Sequence, residues 1–127
     1  MPHPVFLLEA AMRLKGKVLK KEDNSYEGDY SGGSVYYQKG IAIYLYEDHS
    51  FLYEEKTFSS VRAGGLSLPS ESTNRQEGTW KMEFHNEIPH LVLRQSDDSV
   101  FRTWAVKDGG VGVEYLDGVA WNRYRIT

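Results

Sequence analysis

Four kinds of side chain in this sequence could do chemistry unaided: carboxylates, guanidinium groups, phenols and imidazoles. Cysteine is absent from the 127 residues, which removes a thiolate nucleophile, a disulfide framework and any Cys-ligated metal. Of the four histidines, His85 and His90 flank one expected turn while His3 and His49 are isolated. None has ligand spacing beside a carboxylate, so no metal site is expected. Asp48-His49-Ser50 holds the residue types of a hydrolytic triad, but neighbours on a turn cannot converge on one another. Gly32-Gly33 and Gly64-Gly65 lack the Lys-Ser/Thr and helix of a phosphate loop. Strand pairing, set out below, singles out a carboxylate, a guanidinium and a phenol far apart in the chain: Glu55, Arg102 and Tyr115. Gathered in a pocket shielded from water, Glu55 would act as general acid or base, with Arg102 and Tyr115 stabilising a developing oxyanion. The same three would equally anchor the polar head of an apolar ligand.

These residues sit on segments that read as strands. Residues 3–11 form a short helix with Pro4 near its first turn. After it the hydrophobic period becomes two, giving expected strands at 13–20, 40–47, 51–58, 77–84, 88–95, 99–107, 111–116 and 119–126. The turn residues between them include Asp117-Gly118, a tight-hairpin signal. Residues 21–39 and 59–76, rich in Gly and Ser, read as two long loops. No linker divides the chain, so residues 1–127 are expected to be one domain. The apolar start Pro4-Val-Phe-Leu-Leu8 is too short to span a membrane, lacks a preceding basic region and runs into Glu9. No signal peptide is read there, and a cytoplasmic location is expected. A net charge of −3 points neither to nucleic acid nor to membrane insertion.

Eight short strands joined mostly by hairpins predict an all-β fold, an eight-stranded antiparallel up-and-down barrel. The helix would plug one end and both long loops would crowd the other. Residues flanking a two-residue turn share a face, so pairing back from Asp117-Gly118 sorts the interior. Val111, Val113, Tyr115, Ala120, Asn122, Tyr124 and Ile126 form the less charged face of the last two strands and are assigned inside. Continued through the earlier turns, the same step adds Val100, Arg102, Trp104, Val106, Leu91, Leu93, Gln95, Trp80, Met82 and Phe84. Ile41, Ile43, Leu45, Phe51, Tyr53 and Glu55 follow from the first hairpin. Strand direction then collects Glu55, Gln95, Arg102, Tyr115 and Asn122 at the loop-rich mouth, with Tyr53, Trp80 and Trp104 lining the space below. Leu66 and Leu68, apolar residues in a polar loop, are expected to fold over it as a lid.

Leu14-Lys-Gly16, Glu47-Asp-His-Ser-Phe51, Gly78-Thr-Trp80 and Leu116-Asp-Gly118 with Trp121-Asn-Arg123 together resemble the calycin-like barrels, the group of lipocalins and fatty-acid-binding proteins. The resemblance implies a β-meander that carries a small ligand inside. Lipocalins place Gly-x-Trp on the first strand, whereas here it falls on the fourth, so their pairing of that Trp with an Arg is not carried over. Similar small barrels serve as cofactor-free cyclases and isomerases.

Three functions are therefore expected as alternatives. One is binding of a small, mostly hydrophobic ligand with a polar head, in a pocket of Tyr53, Glu55, Trp80, Gln95, Arg102, Trp104, Tyr115, Asn122, Leu66 and Leu68. The second is a cyclase or isomerase with no cofactor, working through Glu55, Arg102 and Tyr115. The third is a protein-interaction module with a filled barrel. The interior assignment would leave Phe101, Leu116, Val119 and Trp121 as an apolar outer patch suited to a two-fold homodimer.

Overall fold

Pro4 opens helix α1 (Pro4–Leu14), where its missing N–H would have had no partner in any case. Leu7, Ala10, Ala11 and Leu14 recur at helical spacing and pack on the core, while Leu8 and Met12 face water. Gly16, at φ +72°, ends the helix and turns the chain into the first strand. The computed structural model describes residues 4–28, 34–63 and 66–126, with side chains for 7–23, 36–61 and 69–126.

The strands are β1 (Lys17–Gly28), β2 (Ser34–Leu45), β3 (Ser50–Ala63), β4 (Leu66–His85), β5 (Ile88–Arg94), β6 (Val100–Asp108), β7 (Val113–Leu116) and β8 (Val119–Arg125). Each pairs antiparallel with the next, and β1 pairs with β8 from Lys17↔Arg125 to Lys20↔Asn122, closing an eight-stranded barrel. The expected fold class is observed. Asn86-Glu87 and Asp117-Gly118, all at positive φ, make the tight turns whose twist suits antiparallel strands.

The stretches expected to be loops are largely strand. β1 and β2 stay paired out to Gly28↔Ser34, and β3 and β4 out to Ala63↔Leu66. Beyond the barrel these four strands continue as a wing, in which β1 has left β8 and β4 has not yet met β5. Among the described side chains both faces of the wing meet solvent, and its residues are mostly polar, so no hydrophobic alternation marked it as sheet. Leu66 and Leu68 belong to β4, and their side chains lie outside the described residues.

The interior is occupied by side chains. Leu19, Ile43, Leu45, Phe51, Tyr53, Trp80, Met82, Leu91, Leu93, Val106, Leu116 and Trp121 are buried in one cluster with Ala10 and Leu14 of the helix. The assignments at Ile43, Leu45, Phe51, Tyr53, Trp80, Met82, Leu91, Leu93 and Val106 hold. In the last two strands the faces are inverted. Glu114, Leu116 and Trp121 are buried, while Ala120, Asn122 and Tyr124 are exposed and Val111 projects fully into solvent. A two-residue turn at Asp108-Gly109 would pair Val106 with Val111 and set both inside. The connection is longer and Val106 pairs with Leu116, and an odd change in register moves every side chain to the other face. The apolar patch expected on the outside at residues 101, 116, 119 and 121 is therefore not formed. Phe101, Leu116 and Trp121 belong to the core packing, and only Val119 is exposed.

Candidate functional site: the rim and an outer groove

β5 and β6 lose register at the mouth, where Leu93 pairs with Arg102 but Arg94 pairs with Val100. The extra residue, Phe101, turns inward, stacking on Phe51 at 6.3 Å and meeting Tyr53 edge-on at 5.0 Å. Three aromatic rings thus close the end opposite α1. Arg102 is exposed above them, its guanidinium 4.6 Å from the Phe101 ring centre and donating to the Phe101 carbonyl. Val100, expected inside, is exposed.

The expected polar cluster is assembled only in part. The Tyr53 hydroxyl donates to Glu55 at 3.4 Å, and Glu55 pairs with Lys39 at 3.2 Å. Burial pushes the Tyr53 phenol up, the Glu55 carboxylate adds to the rise, and the Arg102 charge opposes it. Gln95 donates to Gln76 at 3.2 Å and accepts from the Ser99 hydroxyl at 3.3 Å. Trp80 is buried, donating through Nε1 to the Tyr46 carbonyl, with the His49 ring stacked on it at 4.6 Å. Trp104 is half-buried beside Trp121. Tyr115 and Asn122 are not in this cluster. With Glu114 and Trp121 pointing in, alternation sends Tyr115 and Asn122 out. Glu55, Arg102 and Tyr115 consequently share no recess, which removes the geometry expected for acid–base chemistry.

Two features were missed by sequence reasoning. The first is a buried charge cluster under α1. Glu114, fully buried, accepts from Arg13 Nε at 2.8 Å and Nη2 at 2.7 Å, and from Arg123 Nη1 at 2.6 Å. Arg123 also donates to the Gly110 carbonyl at 2.9 Å, and its Nη1 lies 3.7 Å from Asp108. The hydrogen bond from Arg13 to Glu114 raises the Arg13 pKa. Among the described residues no buried side-chain polar atom lacks a partner, and the arrangement clamps the helix to β7 and β8.

The second is a groove across the outer face of the wing. Its floor is Gly40, where an added Cβ would meet nothing within 4 Å. The groove measures ≈ 540 Å³, with Phe58, Lys56, Arg75, Glu71 and Glu22 among its walls. A second recess of ≈ 230 Å³ adjoins it and shares Glu22, Gly40 and Lys56. Tyr36 meets Phe58 edge-on at one end, and Tyr44 stacks near Tyr46 at the other. Between them Glu54 accepts from Arg75 at 2.9 Å and pairs with Lys56 at 3.3 Å. Burial pushes the Glu54 carboxyl up, but Lys56 and Arg75 outweigh it and hold the group below its ordinary range. Tyr36, Tyr37, Tyr44 and Tyr46, close together in the chain, and Gly40 between them were the available signals.

Comparison with protein-family models, curated proteins and solved structures found no match to the chain.

Proposed function

We propose that the protein binds a small amphipathic molecule, and that it does so on the outer groove over Gly40. This keeps the expected ligand class and moves the site from the barrel interior to the wing. The observation that carries the reading is the groove itself: a bare backbone floor, an aromatic wall at Phe58 and charges of both signs held by ion pairs. Its volume falls within the roughly 300–1,000 Å³ that small-molecule sites occupy. An aromatic ring offers the ligand an apolar face, and the Lys56–Glu54–Arg75 row is already ordered, so little further conformational entropy is lost on binding. The interior supports an outside site as well, since Phe51, Tyr53, Trp80 and Leu93 fill the space a ligand would need.

A panel of planar polar fragments, titrated while backbone amide resonances are followed, tests this. Shifts should cluster at residues 38–42, 54–58 and 71–75, and Gly40→Trp, which fills the floor, should abolish them while leaving the fold intact. Shifts centred on Tyr53, Leu93 and Trp104 would return the site to the barrel interior and refute the outer groove. Titrations that move neither set would also refute it.

A further inference from the structure

Among the described residues, β4 between Leu66 and Glu77 is paired on one side only. It pairs with β3 from Leu66 to Thr79, and its pairing with β5 begins at Thr79. The Trp80 N–H donates to the His49 carbonyl, and that pair continues the β3–β4 register of Ser50↔Thr79. Antiparallel ladders alternate, so even-numbered β4 residues bond to β3 and odd-numbered ones point away. Glu71, Thr73, Arg75 and Glu77 therefore present both N–H and C=O along the open edge. Pro69 points the same way and has no N–H to offer, so it ends the usable stretch.

We infer that this edge pairs with the same edge of a second copy of the chain, antiparallel, about a two-fold axis through Thr73. Outward-pointing residues must face one another, and several registers satisfy that: an axis at Asn74 would set Glu71 against the second copy's Glu77, and one at Ser72 would set Arg75 against Pro69, which has no N–H. An axis at Arg75 would set Arg75 against its own copy, and an axis at Glu71 would do the same for Glu71. An axis at Thr73 places Thr73 opposite Thr73, Glu71 opposite the second copy's Arg75, and Ser72 opposite Asn74. That charge pair is favourable, and by symmetry it forms twice. The three facing pairs supply about six backbone hydrogen bonds. Residues Glu71 to Glu77 are all exposed, and Arg75, though bonded to Glu54, keeps 64% of its side chain in solvent. The edge charges that would repel an unrelated strand accept this one register. The two wings would join as one continuous eight-stranded sheet.

Sedimentation velocity over a concentration series tests the proposal. The wild type should be a reversible dimer. Thr73→Pro, which deletes an outward N–H and leaves the β3 ladder alone, should be monomeric. Should that variant fail to fold, Glu71→Arg is decisive. It sets like charges across the axis twice, and it should weaken the dimer about tenfold or more. Arg75→Glu should do the same, and mixing the two single variants should restore dimers, because every facing pair then has opposite signs. A wild type that stays monomeric at every concentration overturns the proposal, whatever else that edge binds. So does a dimer that survives Glu71→Arg, or a mixture of the two variants that stays monomeric.

Discussion

The buried cluster beneath α1 makes the sharpest demand on stability. In Glu114→Gln the side chain keeps its size and one acceptor oxygen but loses its charge. Two guanidinium groups, with only 21% and 12% of their side chains exposed, are left facing a neutral amide. Breaking a buried ion pair by removing one partner costs about 3–5 kcal/mol, because the remaining charge is desolvated and uncompensated. Partial exposure of Arg13 and the remaining contacts of Arg123 with Asp108 and Gly110 set the expectation near the lower end, about 3 kcal/mol. That corresponds to a fall in melting temperature of about 10–15 °C for a domain of this size. Arg13→Met should cost less, about 2 kcal/mol, since Arg123 still neutralises Glu114. The double variant Arg13→Met/Glu114→Gln should be more stable than the two single losses added together, by at least about 1 kcal/mol. Urea unfolding followed by tryptophan fluorescence measures all of these, and Trp121, paired with Glu114 across the hairpin, should report the transition. Amide exchange should show α1 opening first in Arg13→Met. A Glu114→Gln loss below about 1 kcal/mol, or strict additivity in the double variant, would refute a clamp built on charge and leave mere packing.

Two further outcomes follow from the sheet. The hydrogen bond from Arg94 holds Glu83 below its ordinary range, as Lys56 and Arg75 do for Glu54. A carboxylate depressed in the folded state contributes its stability above its unfolded pKa and loses it as pH falls through the folded one. The urea midpoint should therefore be level near neutrality and drop below about pH 4.5, less steeply in Glu83→Gln; a level midpoint down to pH 3 would contradict this. Gly78→Ala should cost about 1–3 kcal/mol or more, because its Cβ would fall 1.9 Å from the Arg94 carbonyl oxygen and 2.9 Å from the Phe51 ring. A midpoint unchanged by that substitution would mean the close approach of β4 and β5 is not rigid.

How legible each part was depended on where the physics is local. Asp117-Gly118 carries its turn geometry in two residues, so the last hairpin and its pairings, Leu116↔Val119 and Tyr115↔Ala120, could be read directly. Ile43, Leu45, Phe51 and Tyr53 alternate across a turn closed by His49 at positive φ, and their common face was equally readable. The connection from Asp108 to Val113 was not, because three glycines let it adopt several lengths at similar cost. With parity lost there, choosing the less charged face as interior was the deciding step. It failed because Glu114 and Asp108 together neutralise Arg13 and Arg123, and a neutralised cluster can be buried where a lone charge cannot.

The candidate site shows the same division. Tyr53 and Glu55 were placed together correctly because they lie two residues apart on one strand, where period alone decides the face. Arg102 keeps its expected place opposite Leu93, but one extra residue at Phe101 moves Val100 to Arg94, and nothing in Val100-Phe-Arg-Thr marks a bulge until β5 is laid beside it. The bulge also changes what the mouth can do. By turning Phe101 inward onto Phe51 and Tyr53, it closes the end that an enclosed ligand would enter and leaves Arg102 on top of the seal. The open surface then lies along β1 to β4, in strands whose polar halves looked like loops. A fold that fills its barrel and extends half its strands leaves its recesses on the sheet, where the proposed binding surface lies. Gly40 marks the place, since a glycine there serves neither turn nor positive φ and leaves the groove floor bare.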